Sequence, residues 1–118
     1  MKKREYLDYL EDMLDAIVAL EDFVKGIDFT QFAQDKKTVF ATVRCFEIIG
    51  EASKKIKGPT RTKHPEIPWE DMAGMRDKLI HGYFGVDTKV LWDSIQSDIP
   101  QLKVAVSEVI RELKSESQ

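Results

Sequence analysis

A chain of 118 residues, 42% apolar and 33% charged, is long enough to bury one real core and short for two domains, so residues 1–118 are expected to form a single domain. Its net charge of −3 and pI near 5.4 exclude a general nucleic-acid coat protein but leave room for a local basic patch. Cys45 stands alone, which excludes an internal disulfide; charges recur from Lys2 through Asp15, unlike a signal peptide, and no uncharged run approaches the roughly 18 residues of a membrane span. A cytoplasmic protein with no membrane association is the expectation.

From Lys3 to Lys25, Leu7, Leu10, Leu14, Ile17 and Val24 recur at helical spacing while Asp8, Glu11, Asp12, Asp15 and Asp22 occupy the remaining surface, which predicts an amphipathic helix ended by Gly26. No histidine accompanies these carboxylates, so they read as a solvated face and no metal is assigned. Ile27 to Gln34, with Phe29 and Phe32, predicts a short helical turn or a packed loop. From Asp35 to Lys57, the residues Val39, Phe40, Val43, Phe46, Ile48, Ile49, Ala52 and Ile56 cover more than one stripe and leave Arg44, Glu47, Glu51, Lys54 and Lys55 on a narrow wedge. A helix this apolar is buried on two sides, and a second subunit in a symmetric dimer is one way to cover the second side. Pairs of Arg44 with Glu47 and of Glu51 with Lys55 are the ordinary expectation on its surface.

Gly58-Pro59 stops that helix, and Pro65 and Pro68 bracket an irregular connection. No acidic residue occurs between Ala52 and Pro65, so Lys54, Lys55, Lys57, Arg61, Lys63 and His64 form one basic run in an acidic chain. It is a candidate RNA-backbone track, with a solvated loop as the rival. The interleaved aromatic residues of a single-strand stacking platform are missing from it. Trp69 opens the next helix, and Asp87 is the expected N-cap of another, carrying Val90, Leu91 and Ile95. A break near Ser97-Asp98, with Pro100 in a first turn, begins the last helix, whose core stripe is Leu102, Val106, Val109 and Leu113; residues 115–118 form a frayed tail. The expected fold is all-α, an antiparallel bundle of four to five helices.

Chemistry concentrates in Met72 to Phe84. At about 100° per residue, Arg76 falls inside the apolar stripe of Trp69, Met72, Leu79 and Tyr83. A guanidinium there needs a partner, and Glu47 or Glu51 is a natural one. His81 falls roughly 140° away from Arg76 on the same wheel. Either the last turn before Gly82 swings the histidine round or a second copy of the chain completes the site. The bland readings are an internal salt bridge for Arg76, a solvated helix-end histidine, and a core tyrosine at Tyr83 whose hydroxyl finds a partner or water.

Arg76-Asp77-Lys78-Leu79-Ile80-His81-Gly82-Tyr83 fits the pattern R-x4-H-x-Y and resembles the HepT toxin family of HEPN-domain ribonucleases. Arg44-Cys45-Phe46-Glu47-Ile48-Ile49-Gly50-Glu51-Ala52 and His64-Pro65-Glu66-Ile67-Pro68-Trp69 resemble further family segments, in the family's order. Asp77 departs from the asparagine that family members often carry; its carboxylate could pair with His81 or weaken phosphate binding. The resemblance implies a HEPN-like dimeric bundle and a metal-independent endoribonuclease without a cofactor, in which Arg76 and His81 act on the RNA phosphate. It also implies a cognate nucleotidyltransferase antitoxin of the MntA type that can adenylylate the motif tyrosine, here Tyr83. The rival from another class is a non-catalytic helical subunit that docks such a nucleotidyltransferase or binds nucleotide through Arg76.

Overall fold

The computed structural model describes residues 3–79 and 85–116, with the side chains of residues 3, 4 and 76–79 left aside. Along them run seven helices: α1 Lys3–Phe23, α2 Phe29–Gln34, α3 Lys36–Lys55, α4 Pro59–Lys63, α5 Trp69–Leu79, α6 Thr88–Ser97 and α7 Ile99–Glu116. Five of them are the expected long elements. The other two, α2 and α4, are single short turns inside connections.

The spacing of α1 does what an amphipathic stripe must. Leu10, Met13, Ile17 and Leu20 are fully buried and Leu7 and Leu14 flank them half-buried; the helix ends at Phe23, short of the expected Lys25, and Gly26, at φ +78°, closes the turn that follows. Asp28 and Gln31 then form a reciprocal capping box that starts α2 and seats Phe32 in the core beside Trp92. Asp35 caps α3, accepting from the backbone N–H and the hydroxyl of Thr38, so α3 begins one residue later than the apolar pattern suggests and ends at Lys55.

The two-sided burial of α3 has its cause within the chain. The helix packs along α1 on one side and α5 on the other, and α7 closes over α1. Val39, Val43, Phe46, Ile49 and Ala52 are buried between these layers, while Phe40 escapes them at 63% exposure. A second subunit is therefore not needed to explain the apolar surface of α3. Its buried hydroxyls are satisfied locally, Thr42 donating to the Val39 carbonyl and Ser53 to that of Gly50. Gly50 fixes the approach of α5: a Cβ there would sit 2.8 Å from the Met72 carbonyl oxygen, so the two backbones meet where only glycine fits.

Asp87 caps α6 through the Val90 N–H, as expected. Asp98 alone separates α6 from α7, with helical backbone angles and hydrogen bonds into both helices, so the break at Pro100 is a junction rather than a loop. Leu102, Val106, Val109 and Leu113 form the buried stripe of α7. Among the described residues no helix is long and apolar enough to cross a membrane.

Candidate functional site

Two features bear on the helix that carries Arg76: its crossing with α3, and the connection from α3 that leads into it past the basic run. At the crossing, Gly50 opposes Met72 and Ala73. Glu47 lies one turn before Gly50 on α3, and Arg76 lies one turn after Met72 on α5. His81 and Tyr83 lie outside the described residues, as do the side chains of Arg76 and Asp77. Glu47 is half-buried; Glu51 is exposed and approaches Arg44 at 3.8 Å, two turns away and open to solvent. Arg44 thus reaches Glu51, and the expected pair of Glu51 with Lys55 does not form. An exposed pair this loose contributes little to stability.

The basic run divides by contact. Arg61 folds back on α3: its Nε donates to the Ile56 carbonyl and its Nη2 to that of Ser53 at 2.8 Å, while its guanidinium lies 5.7 Å from the Trp69 ring centre. A cation on the last carbonyls of a helix satisfies orphan acceptors and favours the helix dipole, so Arg61 is engaged in capping α3 rather than held out for phosphate. Lys63 pairs with Glu116 at 3.2 Å across to α7. His64 leaves the surface altogether, its Nδ1 3.1 Å from Glu66 and its Nε2 3.1 Å from Glu112. The second contact is close enough for an ion pair but is not aligned as a hydrogen bond, since Glu112 Oε2 is buried without one. The Glu66 carboxyl is held below its ordinary range by its own backbone N–H and then by the His64 ring. Trp69 Nε1 donates to the His64 carbonyl at 3.0 Å, which ties the start of α5 to the same corner. Lys54, Lys55 and Lys57 remain exposed.

What the basic run lacks in sequence, the fold supplies from elsewhere. Tyr6, on α1, donates its hydroxyl to the Lys57 carbonyl at 2.7 Å and lines the depression formed by Glu51, Lys54, Lys55 and Lys57. Helical periodicity did not single out Tyr6, because nothing local ties residue 6 to residue 57.

A more enclosed cleft of about 270 Å³ lies between α3, α5 and the start of α7. Phe46, Ile49, Met72 and Leu102 floor it, and Glu66, Asp71 and Asp98 rim it. Carboxylates at its mouth repel phosphate, so this cleft is unsuited to an RNA backbone. Among the described residues no group of three or more histidine, cysteine, aspartate or glutamate side chains is arranged to hold a metal. Burial raises the Cys45 thiol above its usual range, which leaves it a small apolar core residue rather than a nucleophile.

Comparison with known proteins gives this geometry its context. The family model described as ribonuclease HepT-like matches residues 13–109. A protein of Thermococcus cleftensis named as a probable ribonuclease HepT is 57% identical over 101 residues, covering 86% of this chain and 92% of its own length. Two others, named provisionally as RNases, come from Methanocaldococcus jannaschii, 41% identical over 97% of this chain and 98% of the relative, and from Caldanaerobacter subterraneus subsp. tengcongensis, 45% identical over 90% and 95%. No solved structure matches the chain. With the motif residues in α5 and the segment immediately after it, α3 packed against that helix, and the match spanning the core of the bundle, the chain belongs to the HepT-like ribonuclease family.

Proposed function

We propose that the protein is the toxin component of a toxin–antitoxin pair and cleaves RNA within the strand without a metal ion, through Arg76 and His81. The observation that carries this is membership of the HepT-like ribonucleases together with the R-x4-H-x-Y pattern running from α5 into the segment after it. RNA brings its own nucleophile. A base removes the proton of the 2′-hydroxyl, the oxygen attacks the adjacent phosphorus, the bond to the 5′-oxygen breaks, and an acid protonates that leaving oxygen. The products are a 2′,3′-cyclic phosphate and a 5′-hydroxyl.

His81 suits proton transfer because an imidazole titrates near neutral pH. Arg76 suits the charge that builds on phosphate, because its planar fork binds two oxygens and keeps its charge throughout. Glu47, one turn from the α3–α5 crossing, is the preferred partner to orient Arg76, with Glu51 taken up toward Arg44. Asp77 is assigned a supporting role beside His81, at helical i+4 spacing.

The reading includes a homodimer whose two motifs share one cleft, which relieves the angular separation of Arg76 and His81. Apart from the two layers that cover α3, an apolar groove between α1 and α3, with Ala16, Ala19, Ala41 and Ile48 in it and exposed Phe23 and Phe40 nearby, is the surface that supports such a contact. It also includes a cytoplasmic MntA-type nucleotidyltransferase antitoxin that adenylylates Tyr83, placing a phosphate where the RNA phosphate must sit and so blocking the site. The test is incubation of purified protein with mixed RNA in EDTA, wild type beside His81→Ala. Cleavage by the wild type and its loss in a folded His81→Ala protein is the expected result. Equal cleavage by both removes His81 from the mechanism, and no cleavage by either leaves the non-catalytic docking or nucleotide-binding subunit in its place.

A further inference from the structure

We infer that Tyr6 is a base-stacking residue at the centre of a single-strand RNA path, with Lys54, Lys55 and Lys57 holding the backbone beside it. The inference rests on RNA being the substrate, and adds a binding subsite distinct from Arg76 and His81. Tyr6 lines two adjoining depressions. One, of about 840 Å³, is formed with Lys54, Lys55, Lys57 and Glu51; the other, of about 440 Å³, includes Pro59, Thr60 and Lys63. The ring is half-buried against the core and its hydroxyl is fixed on the Lys57 carbonyl, so it presents a held aromatic surface rather than a freely rotating one.

The two parts of a sequence-tolerant single-strand site are a cationic track for phosphates and an aromatic ring on which a base can lie. Here they come from residues 51 apart in sequence and meet because α1 packs along α3. Glu51 lies 3.8 Å from Arg44 and Glu116 pairs with Lys63, while Glu112, which also lines the second depression, is turned to the buried His64 ring. The three lysines next to Tyr6 are exposed. A duplex keeps its bases stacked inside and cannot offer one to Tyr6, whereas its phosphates can still meet the lysines.

A short 2′-O-methyl oligouridylate is the probe, because it lacks the free 2′-hydroxyl that the proposed cleavage requires, and its integrity after binding is checked on a gel. Binding is measured for wild type, Tyr6→Phe and Tyr6→Leu, on the single strand and on the same strand in a duplex, with thermal unfolding confirming that each variant is folded. Tyr6→Phe keeps the ring and is expected to bind as wild type does; Tyr6→Leu is expected to lose about ten-fold or more on the single strand, with the duplex unchanged. Wild-type affinity in folded Tyr6→Leu, an equal loss on both strands, or a wild type that does not bind the single strand each overturns the inference. If Tyr6→Leu does not fold, Tyr6→Met, which keeps the reach and the apolar packing without the ring, takes its place: loss on the single strand with the duplex unchanged supports the inference, and wild-type affinity overturns it. Because binding to this probe is read without turnover, absence of nuclease activity leaves this outcome intact, and the two readings fail separately.

Discussion

Helix α1 and the stretch from Lys54, in the last turn of α3, through the connection to Trp69 obey different rules. In α1 a residue's fate follows from its place on one helix, and the residues at three- and four-residue spacing are buried while the carboxylates between them stay largely in water. In that stretch six basic side chains look alike along the chain, yet one caps α3, one pairs with α7, one is buried between two glutamates, and the three lysines from the end of α3 to Lys57 stay exposed. Periodicity is a local property that a single element enforces. The role of a loop cation is set by whichever distant atoms the fold brings to it.

The largest expected effect probes the α1 side of that contrast. Ile17→Ala removes fully buried methylene groups and should cost about 2–5 kcal/mol, read as a lowered urea midpoint. Next comes the crossing that positions the motif helix. An alanine normally favours a helix interior over glycine by about 1 kcal/mol, but Gly50→Ala drives a methyl into the Met72 carbonyl and should instead destabilise by about 1–3 kcal/mol. A stabilised Gly50→Ala protein would show that α3 and α5 do not cross there.

The third prediction separates cations that the sequence cannot distinguish. Arg61→Gln should lower stability by about 1–2 kcal/mol through its lost charged hydrogen bonds, whereas Lys55→Gln should stay within about 0.5 kcal/mol and reduce the salt slope of RNA binding by about one unit. Equal effects on stability would make the run a uniform solvated loop. The smallest effect is acidic. Thr38, through its hydroxyl and then its backbone N–H, holds the Asp35 carboxyl below its ordinary value. A folded pKa below the unfolded one means that this stabilisation is complete above the ordinary carboxylate range and disappears as pH falls through the folded value. Asp35→Asn retains a capping oxygen and should shrink that part of the acid dependence, checked by urea midpoints below about pH 5.

Much of the bundle was legible because most of its elements carry a complete local signal: a stripe, a cap at Asp87, and a stop at Gly26. The two-sided apolar character of α3 was also legible, but its cause was not, since a sequence cannot say whether α5 or another subunit supplies the second wall. Phe40 shows the same limit, being apolar, within the pattern, and exposed. At the candidate site the motif stood out because arginine, histidine and tyrosine at fixed spacing are a chemical signature independent of packing. Tyr6 did not, because its partner Lys57 is 51 residues away and only the packing of α1 on α3 joins them. Arg61 and His64 were grouped with the lysines on charge alone, and the carbonyls and carboxylates that claim them come from α3, α7 and the connection itself.

The central claim is that the substrate's own 2′-hydroxyl is the nucleophile. It is tested most directly by offering the purified wild-type protein, in EDTA, a mixed-sequence RNA and the same sequence fully 2′-O-methylated, and analysing the ends of any fragments. The account predicts fragments from the RNA alone, carrying 2′,3′-cyclic phosphate and 5′-hydroxyl ends, with the methylated strand intact. Cleavage of both strands, or fragments with 5′-phosphate ends, would contradict it.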